Sequence, residues 1–245
     1  KKGLNIPING KPTEEINDSK NSRSVAILGD DYIGMKPTML VEEGDEVKLG
    51  QALFEDKKNP GVIFTSPAGG KVESVNRGDR RALQSIVIEI SQDEDSLEFK
   101  SFSKNELTEA NSDEVREQLI ASGMWTSFRT RPYSKIPNIE SSPSNLFISA
   151  LDTQPLSPNP EKIINLKKES FNFGLLVLKR LLDCPIHIST AKDSTLSLLE
   201  DENIKLHTIS GPHPAGLVGT QMHFISPASL SNINWSIGYQ DVIAI

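Results

Sequence analysis

The segments VEEGDEVKLGQAL, at residues 41–53, and SPAGGKV, at residues 66–72, decide the fold of the first third of the chain. Gly44 and Gly50 stand at turn positions, where glycine adopts backbone angles that other residues disfavour. The apolar residues around them alternate with polar ones, which is the period of a β-strand. An all-β domain is therefore predicted. Its predicted strands are Val25–Leu28, Met39–Val41, Ala52–Glu55, Val62–Thr65, Lys71–Val75 and Leu83–Ile90.

An internal repeat supports this prediction. The pattern V-x-x-G-D occurs at residues 41–45 and again at residues 75–79, and apolar strands follow at the matching positions 52–54 and 86–88. Two such halves predict a sandwich with an approximate twofold axis. The alternative is that Gly-Asp is only a common turn dipeptide.

The glycine and valine spacing resembles the barrel-sandwich hybrid of biotinyl and lipoyl carrier domains. Those carriers hold their prosthetic group on a lysine at a hairpin tip. Lys57 and Lys58 lie at the corresponding hairpin, but Asn59-Pro60-Gly61 follows them and the residues that flank a carrier lysine are missing. We therefore expect the fold without the attachment, with both lysines as solvated loop charges.

A change of pattern marks the second half. Residues 91–110 are acidic and polar and are predicted to connect two domains. Asn111 with Glu114 forms a capping-box pattern, and an apolar stripe continues to Gly123, which predicts a helix. The prolines between residues 129 and 143 predict an extended, irregular loop.

Strands and helices alternate after residue 145, which predicts βαβ units on a parallel sheet. The predicted domains are an N-terminal arm at 1–23, the barrel-sandwich hybrid at 24–103 and an α/β domain at 104–245. We expect this last domain to be cut short, because the final residues resemble the middle of a strand. The predicted elements are strands at Leu146–Ala150, Pro185–Ser189, Ile204–Ile209, Met222–Ile225 and around Ile243, with helices at Glu169–Leu182 and Ser194–Glu200.

Composition excludes several classes of function. The net charge is −7, so a basic face for nucleic acid is not expected. No apolar run approaches the roughly 20 residues that span a bilayer. The single cysteine, Cys184, cannot form an internal disulfide or hold an iron–sulfur cluster by itself, and we expect it to be a small buried residue.

No motif indicates a nucleotide, metal or nucleophile site. No predicted strand is followed by G-x-G-x-x-G, and the glycines at 211–219 alternate with Pro212 and Pro214, which lack the amide hydrogens that bind phosphate. A structural or docking loop is the prediction there. The four histidines have no compact ligand spacing, although His213 and His223 could converge.

Two basic and aromatic stretches remain, at residues 30–37 and 125–133. Aromatic faces with an arginine donor suit a flat ring that bears carbonyl groups, such as a quinone. The alternative is ordinary surface packing, with the arginines paired to acidic residues.

Several long strings together resemble one family, the NqrA or first subunit of the sodium-translocating NADH:quinone reductase (Na+-NQR), over the whole chain. The strings are Lys2-Gly3-Leu4, Phe54-Glu55-Asp56-Lys57-Lys58-Asn59-Pro60-Gly61-Val62, Arg77-Gly78, Trp125-Thr126-x-Phe128-Arg129-Thr130-Arg131-Pro132, Ser210-Gly211-Pro212-His213-Pro214-Ala215-Gly216 and Tyr239-Gln240-Asp241-Val242.

The resemblance implies a biotinyl/lipoyl-like all-β barrel-sandwich hybrid followed by a Rossmann-like α/β domain related to the flavin subunit of complex I. It implies a subunit of a membrane enzyme that passes electrons from NADH to ubiquinone and pumps sodium ions. FAD, FMN and the 2Fe-2S centre are carried by other subunits, and this subunit binds no cofactor covalently. Its partners are the membrane subunits of the complex, designated B to F, and it lies at the cytoplasmic face without a membrane span.

The resemblance also implies a part in quinone binding, and the two basic and aromatic stretches supply the candidate residues. Tyr32, Phe128 and Tyr133 would pack against the ring, and Arg129 or Arg131 would donate to a carbonyl oxygen. Gly34 and Met35 complete the candidate set. The alternatives are a docking subunit that never contacts quinone, the C-type subunit of a ferredoxin-linked, Rnf-type electron-transport complex, and a lipoyl or biotin carrier.

Overall fold

The computed structural model describes residues 3–10, 12–13, 15–17 and 22–245. The predicted arm at 1–23 therefore lies partly outside the described residues, as does Lys2. In the described part of the arm, the Leu4 amide donates to the carbonyl oxygen of His213 at 2.9 Å. That bond lays the arm on the second half of the chain.

The first half is a two-sheet β domain, because its short strands bury alternate side chains between the sheets. One sheet has the order β1-β7-β6-β3 and the other has the order β2-β4-β5, and all neighbours are antiparallel. Leu53, Phe54, Ile86 and Ile88 are fully buried between them. The strands are β1 (Ser24–Leu28), β2 (Pro37–Met39), β3 (Glu46–Val47), β4 (Ala52–Asp56), β5 (Ile63–Thr65), β6 (Gly70–Arg77) and β7 (Leu83–Ile90).

The two V-x-x-G-D turns have different backbone conformations. Gly44 has φ +97°, and its amide donates to the carbonyl oxygen of Val72 at 2.8 Å. Gly78 has φ −96°. The predicted repeat therefore does not extend to the conformation of its glycine, and only the first turn requires a residue without a side chain.

Two helices follow the β domain, and the first of them corrects the predicted connector at 91–110. Helix α1 (Lys104–Glu109) begins with a capping box in which Ser103 and Glu106 bond each other's amides. This Ser-x-x-Glu signal was present in the sequence, within an acidic stretch that was interpreted as unstructured. Helix α2 (Ser112–Ala121) begins with the predicted capping box of Asn111 and Glu114.

The α/β domain has a five-stranded sheet of order β11-β10-β9-β12-β8. Four neighbouring strands are parallel, as predicted, and β8 is an antiparallel edge strand. The longest helix, α4, buries Phe171, Leu175 and Leu178. The strands are β8 (Arg129–Arg131), β9 (Asn145–Ser149), β10 (Ile186–Ala191), β11 (Ile204–Ile209) and β12 (Asn234–Gly238), and the helices are α3 (Pro160–Leu166), α4 (Lys168–Leu181), α5 (Val218–Ile225) and α6 (Tyr239–Ala244).

Four local predictions in this domain are wrong. Residues 222–225 belong to α5 and residue 243 belongs to α6, because short apolar runs do not distinguish a strand from a buried helix. The irregular loop at 129–143 begins with β8. Residues 194–200 form no helix, since Thr195 and Leu199 are held in a loop by the side chains of Glu161 and Asn172.

The sheet and its helices enclose one core, which continues into the β domain through Trp125 and Phe128. Cys184 is buried, as predicted, and burial raises the pKa of its thiol to about 11. Among the described residues, no helix has the length and apolar character needed to cross a bilayer.

Gly174 in α4 provides a test of the helix packing. A Cβ there would overlap the carbonyl oxygen of Val242 in α6, whereas a Cβ at Gly219 in α5 has no atom nearer than 3.8 Å. We expect Gly174→Ala to lower the free energy of unfolding by about 1–3 kcal/mol and Gly219→Ala to cost nothing. Both tryptophans lie in this core, so the urea midpoint from their fluorescence measures the change. Equal midpoints for the two variants would contradict the packing.

Candidate functional site

The two basic and aromatic stretches of the sequence lie against each other where the β domain meets the α/β domain. The guanidinium carbon of Arg129 lies 5.0 Å from the ring centroid of Tyr32. Its Nη2 donates to the carbonyl oxygen of Asp31 at 3.4 Å. Residues 98 positions apart in sequence are thus joined by a cation–π contact and a hydrogen bond.

Arg129 is fixed by its own neighbours as well. Its Nη1 donates to the carbonyl oxygens of Thr126 at 2.5 Å and Phe128 at 3.0 Å. Below it, the Ser127 hydroxyl donates to Asp241 at 3.2 Å. Burial raises the pKa of the Asp241 carboxyl, and the bonds from Ser127 and Gly238 and the charge of Arg129 oppose that rise. The planar fork of the guanidinium is therefore held over Tyr32 with donors left over.

Tyr32 is held from its other side by the β domain. Its ring contacts Phe64 edge-on, with 4.7 Å between the centroids and 86° between the planes. Burial raises the pKa of the Tyr32 hydroxyl, and the charge of Arg129 opposes that rise. The hydroxyl is therefore protonated at neutral pH and can donate a hydrogen bond.

A cleft of about 240 Å³ opens beside Tyr32. Gly34 has φ +78°, and a Cβ there would come within 3.5 Å of the Lys135 side chain. Drug-sized ligands occupy about 300–1,000 Å³, so this cleft accommodates a single ring and not a large cofactor. Its lining consists of Tyr32, Ile33, Gly34, Met35, Asp56, Lys58, Asn59, Lys135, Ile136 and Asn138.

The seven predicted residues have different positions. Tyr32, Gly34 and Met35 line the cleft, and Arg129 stacks on Tyr32 behind it. The other three lie outside the cleft lining, and they are Phe128, Arg131 and Tyr133.

Phe128 corrects the expectation that it packs against a ligand. It is fully buried, with its ring 5.4 Å from those of both Trp125 and Trp235. No ligand at the surface can contact it. Its role is to anchor the start of β8, which carries Arg129.

Arg131 and Tyr133 lie further along the chain. Arg131 is half-buried, and it forms no ion pair with any carboxylate of the described residues. Burial and the charge of Arg129 lower the pKa of its guanidinium. Tyr133 is 68% exposed and has φ +82°.

The second wall of the cleft was not predicted from the sequence. Lys135, Ile136 and Asn138 form that wall, and Asn59 bonds to its backbone from 77 positions away in the sequence. The specific string at residues 54–62 was the available signal. Lys57 and Lys58 in that string are exposed, in agreement with the prediction for these loop charges.

The loop at 211–219 uses its own polar groups internally. The Gly216 amide donates to the Thr153 hydroxyl at 2.9 Å, and the Ser149 hydroxyl donates to the Gly216 carbonyl oxygen at 3.3 Å. A Cβ at Gly216 would lie 2.5 Å from the Thr153 amide nitrogen. The glycine therefore serves close packing between loops.

The histidines that come together are His187 and His207, whereas His213 contacts Thr153 and His223 packs on Phe224. His187 Nδ1 lies 2.8 Å from His207 Nε2, and its Nε2 lies 3.0 Å from Asn145 Oδ1. The Asn145 oxygen can only accept, so His187 carries its proton on Nε2 and accepts from His207. Within the described part of the chain, no three His, Cys, Asp or Glu side chains are grouped to hold a metal ion.

This histidine pair predicts a pH dependence of stability. Burial, with the charges of His207 and Lys205, lowers the pKa of His187 to about 4. An unfolded histidine has a pKa of about 6.5, so between these values the unfolded state binds the proton and stability falls as pH falls.

We expect His187→Gln to flatten the decrease of the thermal midpoint between about pH 6.5 and 4.5. The exposed His223→Gln is the control and should retain the wild-type slope. The same slope in all three proteins would show that the pair does not govern this pH dependence.

Comparison with known proteins supports the assignment of the two domains. Residues 1–91 match the family model described as the NqrA N-terminal barrel-sandwich hybrid domain, and residues 110–245 match the model of the NqrA second alpha/beta domain. The fold class predicted from the sequence is therefore confirmed.

Curated relatives agree with the family models, and all three named here are NqrA subunits of a Na(+)-translocating NADH-quinone reductase. The chain is 51% identical over 245 residues to that of Yersinia pseudotuberculosis serotype O:1b (strain IP 31758). It is 49% identical over 246 residues to that of Haemophilus influenzae (strain PittEE) and 48% identical over 247 residues to that of Glaesserella parasuis serovar 5 (strain SH0165). Each match covers 100% of this chain and 55% of the relative.

The chain thus spans about half the length of the curated relatives it matches. Their names do not favour the alternative of an Rnf-type complex. Since the second family model alone covers more than half of the residues, the chain belongs to the NqrA family.

Proposed function

We propose that this chain is part of the NqrA subunit of a sodium-translocating NADH:ubiquinone reductase, and that the cleft beside Tyr32 contributes to binding the quinone headgroup. In this proposal the subunit lies peripherally at the cytoplasmic face and is held by the membrane subunits, those designated B to F. The flavins and the 2Fe-2S centre belong to those other subunits. The isolated chain is inactive by itself.

The observation that carries the proposal is the Arg129 guanidinium stacked on Tyr32 at the edge of a ring-sized cleft. A quinone offers a flat ring and two carbonyl oxygens, which only accept hydrogen bonds. The cleft offers an aromatic edge, the Tyr32 hydroxyl and the Lys135 ammonium as donors. Ile33 is 56% exposed at the mouth and provides an apolar contact for the start of an isoprenoid tail.

The alternative of a docking subunit is supported by a separate observation. Phe224 is 72% exposed and Leu230 is 77% exposed, on and just after α5. Large apolar side chains in such positions are typical of surfaces that contact other proteins. Docking and quinone binding use different residues, so one experiment can separate them.

The experiment is photo-crosslinking of a ubiquinone analogue to the intact membrane complex, with the labelled peptides mapped. We expect label at residues 28–35 or 128–135, reduced by an excess of free quinone. Label on membrane subunits alone would leave this subunit as a docking subunit.

The two arginines of β8 give a sharper prediction. We expect Arg129→Ala to weaken the affinity for a quinone analogue roughly tenfold, because the variant loses a charged donor and frees the Tyr32 ring. Arg131→Ala should have a smaller effect, since Arg131 does not line the cleft. Analogue binding to the assembled complex is the measurement, with the exposed Arg80→Ala as the control. An Arg129→Ala variant that binds like the control would remove Arg129 from the site.

A further inference from the structure

The hairpin between β4 and β5, where a carrier domain would hold its prosthetic group, is fastened to the α/β domain. Asn59 at its tip donates from Nδ2 to the carbonyl oxygens of Ile136 at 3.3 Å and Pro137 at 3.0 Å. Asn138 returns a bond to Asn59 Oδ1 at 3.4 Å. The tip thus pairs with three successive residues of the second wall of the cleft.

The same hairpin also holds the first wall. Asp56 is 6% exposed, and its Oδ1 accepts from the amides of Lys36 and Lys58, both at 3.0 Å. The Lys57 amide donates to the Lys36 carbonyl oxygen at 2.8 Å. Lys36 directly follows Met35, so these bonds fix the end of the segment that carries Tyr32, Gly34 and Met35.

The contact between the hairpin and the second wall is close. Gly61 has φ +89°, and a Cβ there would lie 2.7 Å from Cδ1 of Ile139. The Pro137 carbonyl oxygen also accepts from the Trp125 indole at 3.0 Å. Its two acceptor positions are thereby filled from the two domains, by Asn59 and by Trp125.

The chemistry at the tip requires an amide. Backbone carbonyl oxygens can only accept, so the NH₂ group of Asn59 must face them. An aspartate would place negative oxygens against carbonyl oxygens, and an alanine would leave the partly buried carbonyls without this donor.

We propose that Asn59 is a positioning residue that holds the two walls of the cleft at the separation a quinone ring requires. This inference rests on the proposed function of the same site. Asn59 itself acts through the backbone of residues 136–138 and through the hairpin that it shares with Asp56.

The test compares Asn59→Asp and Asn59→Ala with Asn76→Asp in the assembled complex. Asn76 also donates two side-chain bonds, to Ser74 at 3.1 Å and Ser85 at 2.9 Å, but within the β domain. We expect both Asn59 variants to raise the KM for a short-tailed ubiquinone about tenfold with kcat unchanged. Asn76→Asp should retain the wild-type KM.

Amide hydrogen exchange, measured without quinone, separates this inference from the proposed function. The Asn59 variants should exchange faster at residues 32–36 and 134–139, and Asn76→Asp should not. Unchanged exchange in these segments would overturn the positioning role. Faster exchange with an unchanged KM would also overturn it, because the walls would then not govern quinone binding. If free quinone fails to compete for label at the wild-type cleft while exchange still increases, the proposed function fails and the fastening of the walls stands.

Discussion

The arrangement around the cleft depends on one carbonyl oxygen, that of Pro137. It accepts a hydrogen bond from Trp125, in the core of the α/β domain, and another from Asn59, at the tip of a β-domain hairpin. A buried carbonyl has two lone pairs, and leaving either without a donor is costly. Both domains must therefore be in place for this oxygen to be satisfied, and the segment that follows β8 is held at their junction.

The aromatic cluster supports the same junction from below. Trp125, Phe128 and Trp235 contact one another with centroids 5.4–5.7 Å apart, and they bring the 3-10 turn at Met124–Ser127 against β12. This packing sets the direction in which β8 leaves the core. Arg129 is the first residue of that strand, so its position over Tyr32 follows from buried apolar contacts and not from the charge alone.

Local signals in the sequence predicted most of the fold. The strands at 52–56 and 83–90 and the capping box at Asn111 are determined by neighbours in the chain, and so is the alternation that indicates a parallel sheet. The helix at 218–225 was not predicted, because its apolar run also fits a strand. Half of the candidate site was found from its aromatic and basic composition. The other half depends on Asn59 meeting Ile136 and Pro137, a contact of long sequence separation that has no local pattern.

The fastened hairpin changes how a fold of the carrier type can be used. A carrier works by moving its cargo between partners, and this needs a tip that is free to swing. Here the tip is bound through Asn59, packed through Gly61 against Ile139, and has given up that freedom. The domain can act only as a stationary wall, so any ligand must travel to it. The location of the protein within its assembly then becomes part of the binding site.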